Sequence, residues 1–99
     1  MANKKVTVVA RAKAKPGKEE QVKQELLKLL SPTRAEDGCI NYDMHESIDH
    51  AGQFLFHENW ESRKSLDQHL ATAHVQNFLR QADQLLAEPV EITLWKQVG

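Results

Sequence analysis

The sequence predicts an α+β fold of the ferredoxin-like kind, βαββαβ, an antiparallel sheet with its helices on one face. Four segments alternate apolar and polar residues with period two, and two stretches between them carry apolar residues at three-and-four spacing. A length of 99 residues with 40% apolar side chains suits one core, so residues 1–99 read as a single domain.

Val6 to Ala14 alternates, with Val6, Val8, Ala10 and Ala12 opposing Thr7, Val9, Arg11 and Lys13, and is the first strand. Pro16-Gly17 breaks it. From Lys18, Val22, Leu26, Leu27, Leu29 and Leu30 recur at helical spacing, which predicts a helix ending near Leu30. Ser31-Pro32 resembles a cap followed by proline at a first helical position, so a further short turn runs to Glu36 before Gly38 stops it. Alternation returns at Cys39, with Ile40, Tyr42 and Met44 opposing Asn41, Asp43 and His45. It returns again over Gln53 to Glu61, where Phe54, Phe56, Glu58 and Trp60 share one face and Leu55, His57 and Asn59 the other. Between these two strands Asp49-His50-Ala51-Gly52 reads as a hairpin loop with glycine at a positive-φ position. Ser62 then caps helical material from Ser65 to Leu86, with a break near Thr72. After Pro89, Val90, Ile92 and Leu94 alternate with Glu91, Thr93 and Trp95 in the last strand.

Both sheet faces carry apolar residues: Val6, Val8, Phe54, Phe56, Ile92 and Leu94 on one, and Val9, Leu55 and Trp95 on the other. Two helices cover one face only, and an uncovered antiparallel face should be polar. A homodimer that buries the second face is therefore expected.

The formal charge of −1 offers no clustered positive field for nucleic acid or an anionic membrane, and Lys4-Lys5 is the only basic run. No stretch approaches the roughly 18 apolar residues of a membrane span, and the N-terminus lacks a leader pattern, so a cytoplasmic protein is expected. The single cysteine, Cys39, has no internal disulfide partner and reads as a small core residue at a strand start. Dinucleotide, phosphate-loop, zinc-protease and serine-hydrolase motifs are all missing from the sequence.

Five histidines raise the question of a metal. With a hairpin centred on Ala51, His45 and His57 face each other across the two strands, yet they supply only two ligands, so polarity at a surface or interface is the simpler reading. His50 is a turn residue. His69 lies at the edge of the buried stripe, where it can border an apolar cavity and act as a general base, or be hydrogen-bonded for packing. On one straight helix, five residues separate His69 and His74 by about 140° beyond a full turn, which makes them poor co-ligands. No metal is assigned. Glu58 sits among aromatics on an inward face, so it needs a partner such as Arg11, Tyr42 or a helix residue, or is held neutral. Trp60 reads as core or ligand platform, with Tyr42 as its cross-strand neighbour.

The runs Glu36-Asp37-Gly38-Cys39-Ile40-Asn41-Tyr42, Phe56-His57-Glu58-Asn59-Trp60-Glu61-Ser62 and His69-Leu70-Ala71-Thr72-Ala73-His74 resemble the antibiotic biosynthesis monooxygenase family. The first strand with its Pro16-Gly17 exit and the last strand after Pro89 also fit, so the resemblance spans nearly the whole chain. It implies a homodimeric α+β barrel with a pocket between helices and sheet in each subunit. Known members include quinol monooxygenases that need neither metal nor flavin, haem-degrading enzymes, and an isomerase of a phosphorylated signalling sugar. The haem-degrading members use an asparagine, a tryptophan and a histidine at positions matching Ala10, His69 and Leu79, so the axial ligand is missing.

What the resemblance then implies is a monooxygenase without cofactor, acting on a quinol or other small polyphenolic substrate with O2. His69 would be the base, Trp60, Phe56 and Phe78 the walls, Tyr42 or Asn59 the groups orienting a substrate oxygen, and Glu58 and His74 further substrate contacts. Two alternatives stand beside it. An isomerase of a small phosphorylated sugar would need cations around the pocket, for which Arg11, Lys13, Arg63 and Arg80 are candidates, and a dimeric small-molecule-binding or stress-response protein would need no chemistry.

Overall fold

A computed structural model describes residues 4–99 of the chain, so the opening Met1-Ala2-Asn3 of the leader reading lies outside the described residues. Eight elements follow in order: β1 (Val6–Lys13), α1 (Glu19–Leu27), α2 (Leu30–Arg34), β2 (Cys39–Glu46), β3 (Gln53–Trp60), α3 (Arg63–Leu70), α4 (Ala73–Leu85) and β4 (Glu91–Trp95). The strands form one antiparallel sheet in the order β2-β3-β1-β4. This is the ferredoxin-like α+β arrangement.

The parity of β3 decides which face is inside. Phe54, Phe56, Glu58 and Trp60 are all buried, and the alternate residues Leu55, His57 and Asn59 are not. Small residues on β1, chiefly Ala10 and Ala12, let α1 and α4 approach the sheet, where Val22, Leu26, Phe78 and Leu85 close over the aromatics. At about 25 cal/mol per Å2 of apolar surface, this shared layer is the main source of stability. Ser62 caps α3 by accepting from the Ser65 N–H at 3.2 Å. No helix among the described residues is long and apolar enough to cross a membrane.

Four local expectations are corrected. The hairpin register is centred one residue earlier than Ala51: Tyr42 pairs with Glu58, not Trp60, and His45 pairs with Leu55 while His57 pairs with Asp43. His45 and His57 therefore do not face each other. Ile40 is the extra residue of an irregularity between Cys39 and Asn41 and is exposed, out of line with Tyr42. Ser31 caps nothing, because α2 already starts at Leu30 and carries Ser31-Pro32 inside its first turn. Finally, Ile92 and Leu94 share the parity of the core but stay over 40% exposed on the edge strand β4.

Candidate functional site

The inner face of the sheet and the helices above it enclose an almost wholly apolar cavity of about 70 Å3. Tyr42 from β2, Phe56 and Glu58 from β3, His69 from α3 and Phe78 from α4 all line it. Its outer margin reaches Arg11, Leu79 and Ile92, which are exposed.

His69 is 3% exposed, and its ring rests on Trp60 at a centroid distance of 4.6 Å with the Tyr42 ring edge-on at 5.4 Å. Trp60 does not line the cavity. It is the bed beneath His69, fully buried, with its indole N–H donating to Glu58 Oε1 at 2.9 Å. Glu36, in the α2 to β2 connection, accepts hydrogen bonds on one oxygen, Oε2, from His69 Nδ1 at 2.9 Å and His74 Nε2 at 2.7 Å. Nδ1 is thus committed, and Nε2 is the nitrogen of His69 left to a bound molecule.

Two backbone devices bring these three residues together. Gly38 has φ of +83°, and a side chain there would collide with Ser65 Oγ, so only glycine lets the connection carrying Glu36 pass so close to the start of α3. The second device is the break between α3 and α4. Thr72 leaves the helix with ψ of 154°, and its hydroxyl and N–H both return to the His69 carbonyl, at 2.7 and 3.1 Å. The restart turns His74 back, so the two histidine rings lie 6.1 Å apart. The straight-helix estimate that made them poor co-ligands is overturned by this break. Among the described residues, Glu36, His69 and His74 are the one group whose ligand atoms could hold a metal ion, all within 4.8 Å of one another.

Burial dominates the electrostatics. It pushes the Glu58 carboxyl up to about 7, against the Trp60 hydrogen bond and with help from the Glu36 charge. Burial likewise holds the Tyr42 hydroxyl well above its ordinary range, with the Glu58 charge adding to it and the neighbouring Thr33 hydroxyl opposing. For His69, burial lowers the value and outweighs the hydrogen bond and charge of Glu36. The cavity therefore contains a neutral imidazole, a neutral phenol and a carboxyl poised between its two forms.

Of the residues singled out from the sequence, His69, Tyr42, Phe56, Glu58 and Phe78 converge on the cavity. Asn59 does not: it lies on the open sheet face, where it accepts from Thr7 Oγ1 at 2.6 Å and donates to Asn41 Oδ1 at 2.8 Å. His74 stands behind the cavity in a second, more open pocket of about 270 Å3. Glu58 finds Trp60 as its partner, and not Arg11. Glu36 was missed, although it heads the first of the three sequence runs. Ala10 and Leu79, two of the haem-comparison positions, line the same cavity as His69.

The profile of the family described as antibiotic biosynthesis monooxygenase matches residues 5–81. The chain belongs to this family. It is 38% identical over 89 residues to Rv0793 of Mycobacterium tuberculosis, covering 90% of this chain and 87% of that one. YcnE of Bacillus subtilis is 31% identical over 87 residues, 88% of this chain and 92% of the other. Both carry the designation monooxygenase provisionally in their names. Among solved structures, PA3566 from Pseudomonas aeruginosa superposes with a TM-score of 0.91 at 32% identity, covering 97% and 96% of the two chains. Family membership agrees with the βαββαβ order, and the matched residues include all three sequence runs, of which those from Glu36 and to His74 meet at His69.

Proposed function

We propose that the chain is a monooxygenase acting on a small aromatic hydroxyl compound of the quinol type, with O2 as oxidant and His69 as general base. The observation that carries this is the seating of His69: its ring forms part of an apolar cavity wall while Nδ1 is held by Glu36. A base so fixed leaves Nε2, which has no hydrogen-bond partner among the described residues, for a substrate hydroxyl, and the apolar walls keep water from competing. A hydroquinone brings its own two electrons, so hydroquinone and O2 give hydroxybenzoquinone and water. No external reductant enters that balance. Tyr42, neutral and edge-on to His69, would orient the substrate oxygen as a hydrogen-bond donor.

Cavity size limits how the substrate sits. An enclosed volume of about 70 Å3 is below the roughly 150 Å3 that admits benzene. The hydroxyl-bearing edge enters, and the rest of the ring occupies the margin at Leu79 and Ile92. Of the four cations an isomerase of a phosphorylated sugar would call on, only Arg11 borders the cavity, which favours the aromatic substrate. The reading extends to a homodimer, supported by the open sheet face with Val9 and Leu55 half-buried and Trp95 59% exposed.

The test is oxygen uptake by purified protein over a panel of hydroquinones. His69→Ala is expected to lower the rate by on the order of 10^2- to 10^4-fold, the usual contribution of a positioned base. No uptake above buffer, or an undiminished rate in the variant, refutes the assignment.

A further inference from the structure

We propose that Glu36, His69 and His74 form a site for a divalent first-row transition ion of the Zn2+ class, whose occupation silences the base. The ion site goes beyond the monooxygenase reading and stands on geometry, while the silencing of the base rests on that reading. Two imidazoles and one carboxylate are a complete three-ligand set for such ions, leaving outer positions for water.

The donor atoms are already close to ligand spacing. Metal bonds of about 2.1 Å at right angles put neighbouring donors about 3 Å apart. Glu36 Oε2 lies 2.9 Å from His69 Nδ1 and 2.7 Å from His74 Nε2, two edges of such an arrangement. A four-coordinate ion sets neighbouring donors about 3.4 Å apart, so the two Glu36 contacts open by roughly half an ångström while the two imidazole nitrogens, within 4.8 Å of each other, turn in towards the ion. Little chain movement is required, because the Gly38 turn and the Thr72 break already aim the three side chains at one point. The protons now lying between the rings and the carboxylate move to the opposite ring nitrogens. An ion has an entrance as well: Glu36 and His74 keep 14% and 24% of their side-chain surface exposed, and His74 opens into the pocket of about 270 Å3 beside Glu25, Asn77 and Gln81. Lys28 borders that pocket but is paired with Glu25 at 2.7 Å. The route avoids the apolar cavity.

Occupation changes what His69 shows to the cavity. With Nδ1 on the ion, Nε2 carries the proton and donates where a base must accept. The same residues therefore serve either proton transfer or the ion, and the two states exclude each other.

The experiment uses purified, metal-free protein titrated with ZnCl2 and, for a visible spectrum, CoCl2, under calorimetry and equilibrium dialysis. One ion per chain is expected, with affinity lowered at least the roughly 10- to 100-fold that even an outer partner of a ligand contributes in both Glu36→Gln and His74→Ala. The double variant His45→Ala/His57→Ala, on the opposite sheet face, should bind as the parent does. Binding that survives Glu36→Gln and His74→Ala, or that disappears with His45 and His57, overturns the proposal, as does no binding by the parent. Should a variant not fold, X-ray absorption of the Co2+-loaded parent decides: two imidazole ligands support the site, and fewer than two refute it. If oxygen uptake is found, Zn2+ should abolish it and chelator restore it. If no substrate is turned over at all, the monooxygenase reading fails while the binding data still decide the ion site.

Discussion

Replacing Glu58 by glutamine should remove most of a pH dependence that the buried carboxyl imposes on stability. The carboxyl is 3% exposed, and its value is pushed from the ordinary 4.5 to about 7 by burial. The fold thus prefers the protonated form. Stability from this group is fully present below 4.5, falls as the pH rises from 4.5 towards 7, and is level above that. Each tenfold change in proton affinity is worth about 1.4 kcal/mol, so the parent loses roughly 1.4 kcal/mol by pH 5.5 and about 3 kcal/mol by pH 8. Glutamine keeps an oxygen for the Trp60 N–H, which donates at 2.9 Å, and carries no charge at any of these values. Urea unfolding of both proteins between pH 4.5 and 8.5, at fixed protein concentration, gives the difference directly. Glu58→Gln minus parent should rise by about 3 kcal/mol across that range, whatever its offset at pH 4.5. A flat difference refutes the reasoning, because it means that the ionised carboxylate is not desolvated.

Two further outcomes follow from the backbone and the open face. Gly17 and Gly38 have nearly equal φ, +87° and +83°, but a side chain at Gly17 meets nothing within 4 Å whereas one at Gly38 meets Ser65. Gly38→Ala should therefore lose about 1–3 kcal/mol more than Gly17→Ala, the cost of overlap with the shared strain removed; equal losses in urea unfolding would show that Ser65 moves aside freely. Trp95→Lys, on the edge strand of the open face, should shift the protein from dimer to monomer at micromolar concentration in sedimentation velocity, and a parent that is already monomeric removes the dimer reading.

The strand alternation was legible because each face of a sheet meets a different medium. Phe54, Phe56, Glu58 and Trp60 are inside as their parity requires, and the same parity already placed Asn59 on the far face, away from any pocket the helices could roof. Register was less legible, since alternation is unchanged when both strands slide against each other. A loop counted one residue off moved Tyr42 from Glu58 to Trp60 and set His45 wrongly against His57. The break near Thr72 could be seen in the helical pattern, but its consequence could not: a helical wheel assigns angles along one axis, and here the axis changes between His69 and His74. Glu36 was hidden for the same kind of reason. Nothing local marks a carboxylate whose partners lie 33 and 38 residues further along the chain.

The junction between α3 and α4 has a consequence for how this chain can be varied. It is closed by Thr72 Oγ1 on the His69 carbonyl and by Gln76 Nε2 on the Leu70 carbonyl at 2.8 Å. Neither bond uses an imidazole. The scaffold that aims positions 69 and 74 is thus chemically separate from what those positions carry, so side chains there can be exchanged while the bend persists. Altering position 72, or the number of residues across the bend, re-aims both at once. For an engineer this is a socket: new reactive groups are better tried at 69 and 74 on an intact Thr72 than built by reshaping the turn.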